Sequence, residues 1–142
     1  MTIELITLCT ATARLNAPFI LPDTPLGTRA IAEVTTFDVE GERLSGHMAG
    51  KAGADWLTVG PAGMGTLDVR VLIETLDGAL IFASYRGRLD LSNGAGSAPA
   101  YAAPLFDTGD ARYAWINAIQ VIAKGEITDG GSLLTYEMYE VR

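Results

Sequence analysis

Leu67-Asp68-Val69-Arg70-Val71-Leu72-Ile73-Glu74-Thr75-Leu76-Asp77-Gly78-Ala79-Leu80-Ile81-Phe82-Ala83-Ser84-Tyr85-Arg86-Gly87-Arg88 reads as one β-hairpin. The first arm largely alternates polar and apolar residues, and the second is rich in β-formers. Asp-Gly between such arms is a strong hairpin signal, because both positions of the favoured two-residue turn need positive φ. A turn at Asp77-Gly78 sets Leu76 opposite Ala79, Glu74 opposite Ile81, Arg70 opposite Tyr85 and Asp68 opposite Gly87. Side chains alternate across a strand, so Asp68, Arg70 and Tyr85 then share one face. An arginine beside a carboxylate and a phenol could clamp a substrate carboxylate or enolate, with the aspartate moving a proton. The same alternation also fits a solvated outer face with Leu67, Val69, Val71 and Ile73 packed inward.

The rest of the chain is punctuated in the same way. Ile3–Arg14 is a strand candidate, and Asn16–Gly27, with Pro18, Pro22 and Pro25, is a loop or edge segment. Arg29–Val39 and Glu42–Gly50 form a second hairpin around Glu40-Gly41, which puts Asp38 opposite Arg43 and His47 opposite Val34. Asp55–Val59 is a short strand, Asp90–Pro104 an irregular surface loop and Leu105–Asp107 a brief strand. Ala111–Lys124 and Ser132–Val141 are two long strands around Thr128-Asp129-Gly130-Gly131. Trp115, Ile116, Ile119, Val121 and Ile122 favour strand over helix in the first of these. Strands spaced this evenly predict an all-β fold, a single antiparallel β-barrel of about eight or nine strands spanning residues 1–142, with little helix.

Composition narrows the function. The 142 residues are 49% apolar and 19% charged, with 16 glycines, which suits one folded domain of short strands and tight turns. A net charge of −7 without a basic stripe argues against nucleic acid as a partner. No basic amphipathic helix or long apolar run points to a membrane, and no leader is visible, so cytoplasmic is the expected location. Cys9 is the single cysteine and His47 the single histidine. They give no metal-ligand spacing, and neither a metal nor an organic cofactor is expected. Ser45, Ser84 and Ser132 sit in no nucleophile elbow. The glycine clusters Gly60–Gly65 and Gly94–Gly96 lack the context of a phosphate loop.

Two further groups carry candidate chemistry. On a strand, Tyr113, Trp115 and Asn117 share a face, either as a stacking surface with an amide to orient a ligand carbonyl or as a core aromatic pair. Asp55-Trp56 follows Gly53, where a carboxylate beside an indole could gain a raised pKa or could cap a turn. Arg29 either completes an anion site or pairs with a surface acid.

Several motifs in order carry a resemblance. They are Gly27-Thr28-Arg29, Gly41-Glu42-Arg43-Leu44-Ser45-Gly46, Gly53-Ala54-Asp55-Trp56, Leu67-Asp68-Val69-Arg70 and Asp77-Gly78-Ala79-Leu80-Ile81. Phe106-Asp107-Thr108-Gly109, Arg112-Tyr113-Ala114-Trp115-Ile116-Asn117 and Tyr136-Glu137-Met138-Tyr139-Glu140-Val141 continue the series. Across nearly the whole chain this set resembles the small bacterial and fungal proteins grouped as domain of unknown function 3237. The resemblance implies a compact antiparallel β-barrel that self-associates, a dimer first, with no activity assigned to most members. Between Arg88 and Tyr101 the chain departs from that pattern, having Ser92-Asn93-Gly94-Ala95-Gly96-Ser97 in place of a longer, more helical insertion.

Together these readings predict a barrel that binds an apolar or aromatic small molecule bearing a carboxylate or carbonyl. The alternatives are a cofactor-independent isomerase, cyclase or lyase on the same barrel, and a structural or assembly module.

Overall fold

In the computed structural model, which describes residues 1–142, the hairpin of the opening stretch forms but its register is shifted. Met64–Thr75 (β5) and Leu80–Asp90 (β6) pair antiparallel along their length. Arg70 lies opposite Ser84, Val69 opposite Tyr85, Asp68 opposite Arg86, Leu67 opposite Gly87 and Glu74 opposite Leu80. The connection sets this offset. Thr75 N–H donates to the Ala79 carbonyl, and Thr75 Oγ1 accepts the Ala79 N–H, each at 2.8 Å. Leu76-Asp77-Gly78 is left as a three-residue loop, with Gly78 alone at positive φ (88°). A slip of one residue sends a side chain to the opposite face. Tyr85 therefore turns into the barrel, while Asp68 and Arg70 stay outside.

Six more strands complete a closed barrel. They are Leu5–Leu15 (β1), Gly27–Glu40 (β3), Gly46–Val59 (β4), Ala98–Ala102 (β7), Gln120–Thr128 (β9) and Leu133–Val141 (β10). The order runs β1-β10-β9-β7-β6-β5-β4-β3, and β3 pairs back onto β1 to close the ring. Two short strands lie off it: Phe19–Thr24 (β2) extends β3, and Leu105–Asp107 (β8) pairs with β6. The proline-bearing segment thus does form an edge strand. No helix is long and apolar enough to cross a membrane.

Side chains of alternating strand positions fill the interior. Alanines line its middle, among them Ala11, Ala13, Ala83 and Ala123, all buried. One end is filled by Leu44, Ile73, Ile81, Ile116 and Val121, each no more than 1% exposed. Ile116 reaches this cluster from a connection, not from a barrel strand. Ile116→Ala is expected to cost about 2–5 kcal/mol, as for other fully buried large-to-small changes. Urea unfolding monitored by fluorescence checks this: the midpoint should fall with the slope unchanged.

Four expectations from the sequence are corrected here. Ala111–Lys124 is not one strand: Ala111–Ala118 is a 3₁₀ helix kinked at Tyr113, and strand resumes at Gln120. Local side-chain bonds outweigh the β-branched composition. Asp110 Oδ1 accepts the Arg112 N–H at 2.9 Å. Asn117 grips Thr108 twice, accepting its N–H at 2.8 Å and donating to its carbonyl at 2.9 Å. The β3–β4 connection is also longer than a Glu40-Gly41 turn, with Val39 opposite Gly46 and Asp38 opposite His47. Leu44 is pulled into the core, and Ser45 Oγ bonds both backbone groups of Gly41. Arg43 accordingly meets Glu140 at 2.6 Å, not Asp38. Asp55–Val59 is the end of the longer β4, and the segment Asp90–Pro104 contains β7.

Candidate functional site

The strand register gathers one polar group inside the barrel. On β4, Asp55 lies opposite Val69 of β5, which in turn lies opposite Tyr85 of β6, and all three are buried. Asp55 is 7% exposed and sits within a strand, so it caps no turn. The β4–β5 ladder runs to Asp55 opposite Val69 and resumes at Thr58 opposite Thr66. Within this gap Asp55 Oδ1 accepts the Asp68 N–H at 3.1 Å. Its Oδ2 takes no hydrogen bond from the protein.

Burial pushes the Asp55 carboxyl up to about 6; the Asp68 amide opposes this and the Asp68 charge adds to it. Asp55 is therefore poised near neutrality, the range in which a carboxyl can accept or give up a proton. Tyr85 and Tyr136 lie close enough to feel its charge, and burial raises both phenols well above their ordinary value. Their rings meet edge to face, with centroids 5.7 Å apart at 83°. The Tyr136 hydroxyl is buried in the core with the Tyr85 hydroxyl beside it.

Asp55 also lines a cavity of about 310 Å³ at the barrel end opposite the Ile116 plug. Twelve of its 18 lining residues are hydrophobic, Leu57, Leu67, Leu89 and Leu134 among them, and none is a lysine, arginine or histidine. Its size falls at the lower end of the range for small-molecule sites, about 300–1,000 Å³. Four larger hollows, about 680, 630, 490 and 450 Å³, are lined mainly by polar residues and backbone.

The residues singled out in the sequence are distributed over four places. Asp68 and Arg70 border the 630 Å³ outer hollow, and Tyr85 touches it only from the core side of the wall. The Arg70 guanidinium stacks over the half-buried Trp56 ring at 4.3 Å, on the outer face next to Asp55 in sequence but opposite in direction. Tyr113 Oη donates to Asp77 Oδ1 at 2.8 Å, which ties the 3₁₀ helix to the hairpin loop. Trp115 lies under the Arg43 guanidinium at 4.7 Å. Asn117 holds Thr108, as described above. Tyr113, Trp115 and Asn117 therefore build no shared ligand face. Arg29 is half-buried on β3, opposite Leu21 and Thr58, and alternates with the inward Ala30. Of the candidates, only Asp55 and Tyr85 point into the barrel.

Tyr136 was not singled out, although Leu134-Thr135-Tyr136-Glu137-Met138 alternates and places it on the inward face with Leu134 and Met138. Cys9 is buried, which pushes its thiol up to about 12 and leaves it unreactive. No three His, Cys, Asp or Glu side chains come together as a metal site.

Comparison with known proteins fits this architecture. A β-barrel-like protein from Acinetobacter baumannii superposes with a TM-score of 0.87 at 26% identity, covering 100% of this chain and 98% of its own. A conserved protein of unknown function from Rhodopseudomonas palustris gives 0.89 at 21% identity, covering 100% and 99%. A protein described as an enzyme, from Penicillium herquei, gives 0.74 at 23% identity, covering 99% and 94%. Among curated proteins the chain has no match. The family model for Protein of unknown function (DUF3237) matches residues 3–141, and the chain belongs to that family.

Proposed function

We propose that this barrel binds an apolar small molecule in the cavity above Asp55. The observation that carries this reading is a single buried carboxyl, free at one oxygen, in the wall of an otherwise largely apolar cavity. A mostly apolar pocket with one or two placed polar groups is the usual form of a small-molecule site. The polar group of the ligand must suit Asp55. A hydroxyl donates to the ionised carboxylate, and a carbonyl accepts from the protonated acid. A ligand carboxylate finds no cation among the lining residues and would meet like charge.

2-Naphthol is a suitable probe, having an apolar two-ring body and one hydroxyl donor. Its fluorescence is expected to report saturable binding to the wild-type protein. Ala30→Leu fills the cavity from its wall and is expected to weaken binding at least about tenfold, or 1.4 kcal/mol. Arg70→Ala, on the outer face, is expected to leave affinity unchanged. Unsaturable binding, or equal affinity in the Ala30→Leu protein, contradicts the reading.

The description of the Penicillium herquei relative as an enzyme supports looking for turnover on the same scaffold. No reaction follows from the shared fold.

A further inference from the structure

The Asp55 carboxylate, once ionised, has no counter-ion around it. Its Oδ1 takes the Asp68 N–H, which leaves Oδ2 as the free acceptor. Ala32 of β3 lies opposite Asp55 on one side and Val69 of β5 on the other. The charged neighbours on β3, Arg29 and Glu33, alternate with Ala30 and Ala32 of the cavity wall and so face outward. Arg70 of β5 is stacked outside on Trp56. Of the titratable groups nearby, Asp68 repels the charge, and the buried phenols of Tyr85 and Tyr136 keep their protons and supply no cation. No lysine, arginine or histidine lines the cavity. Buried charges in proteins are ordinarily paired. This one faces about 310 Å³ of largely apolar space, in which a ligand can bring the missing cation.

We propose that the cavity selects apolar tertiary amines, bound as the ammonium ion with its N–H donated to Asp55 Oδ2. This rests on the cavity above Asp55 being the ligand site. A cation is favoured over a neutral donor by charge attraction, which apolar walls screen far less than water does. Taking both partners of an ion pair out of water normally offsets that gain. Here the carboxylate is already desolvated in the folded barrel, so only the ammonium has water to lose. One free acceptor suits one donor. A tertiary ammonium has a single N–H, whereas a primary one would leave two further N–H groups against apolar walls. The apolar body of the ligand fills the remaining space, where twelve of 18 lining residues are hydrophobic.

The test compares 2-(dimethylamino)tetralin with 2-tetralol, which carries one donor on the same two-ring body without the charge. Isothermal titration calorimetry is expected to show the amine binding the wild-type protein at least about tenfold more tightly than the alcohol at pH 7.5. A tertiary alkylamine stays charged at about pH 5–7.5, as lysine does, so pH acts through the carboxylate. The amine is expected to bind about tenfold more weakly at pH 5, one unit below the Asp55 midpoint of about 6. In Asp55→Asn the amine is expected to lose both its advantage over the alcohol and this pH dependence, while 2-tetralol still binds and so reports an intact cavity. An alcohol that binds as tightly as the amine at pH 7.5 overturns the proposal and leaves the cavity as a binding site. So does an amine preference that survives in Asp55→Asn, which would belong to the net charge of −7. If neither compound nor 2-naphthol binds saturably, both readings fall together.

Discussion

Asp55→Asn is expected to stabilise the protein at pH 8 and to leave its stability unchanged at pH 3. The unfolded chain ionises this carboxyl at an ordinary value near 3.8, whereas the folded barrel holds its proton until about 6. Between those values the unfolded state is the more easily ionised one, so the wild-type protein loses stability as pH rises through this window. The loss is complete above about 6 and amounts to at most about 3 kcal/mol, at about 1.4 kcal/mol per pKa unit. Asparagine retains an oxygen for the Asp68 N–H and never ionises, so the variant escapes that loss. Chemical denaturation across pH 3–8 reads the effect directly, as two stability curves that meet at the acid end and separate above about 4. Superimposed curves would mean that the carboxyl is well solvated.

Gly87→Ala is expected to be among the most damaging single substitutions in the chain. A Cβ on Gly87 would lie 1.9 Å from the Tyr101 carbonyl oxygen and 2.8 Å from Ala102 Cα. Both are backbone atoms of β7, so no side-chain rotation relieves the clash. Gly87 pairs with Leu67 on one side and Ala102 on the other, which places it where β5, β6 and β7 continue the ring. Relief requires β6 and β7 to move apart, and closure of the barrel depends on that pairing. The expected cost is about 3 kcal/mol or more, at or beyond the usual upper range for overpacking. Gly96→Ala is the matched control: a Cβ there meets nothing within 4 Å, and its effect should stay within about 0.5 kcal/mol. Thermal unfolding of the two variants beside the wild type checks both expectations. A Gly87→Ala protein as stable as the Gly96→Ala protein would contradict the close β6–β7 approach.

Strand content and barrel closure were legible because alternation and turn residues are local signals. The arms around Asp77-Gly78, the strand at Ile3–Arg14 and the last strand at Ser132–Val141 could all be read in this way. Register was not legible. Thr75 takes the Ala79 N–H onto its side chain, and this single bond lengthens the loop and turns Tyr85 inward. The 3₁₀ helix was hidden for a similar reason. Ile116 and Ile119 suggest strand, while Asp110 and Asn117 fix the segment through bonds that no periodicity records. Arg43 finds Glu140, 97 residues away, and a neighbour-based reading assigns it instead to Asp38.

The candidate site was legible only in part. Asp55 could be noticed beside Trp56, but the direction of its side chain depends on β4 continuing from Gly46 to Val59. In that strand Asp55 turns to the cavity, and Trp56 turns out to Arg70. Tyr136 lay on a visible alternation, yet nothing local shows that its ring meets Tyr85 edge to face. The apolar cavity is assembled from seven separate stretches of chain, including Leu15, Ala30, Leu57, Leu67, Leu89, Ile127 and Leu134. Such a surface emerges only when the ring closes.

The most direct measurement is a carbon-13 NMR titration of the Asp55 carboxyl, without and with saturating 2-naphthol, assigned by its loss in Asp55→Asn. The account predicts a free-protein midpoint near 6 and a clear change in that midpoint when the probe occupies the cavity. A midpoint near 3.8 that the probe leaves unmoved would place Asp55 in contact with water and away from any ligand, and would contradict the account.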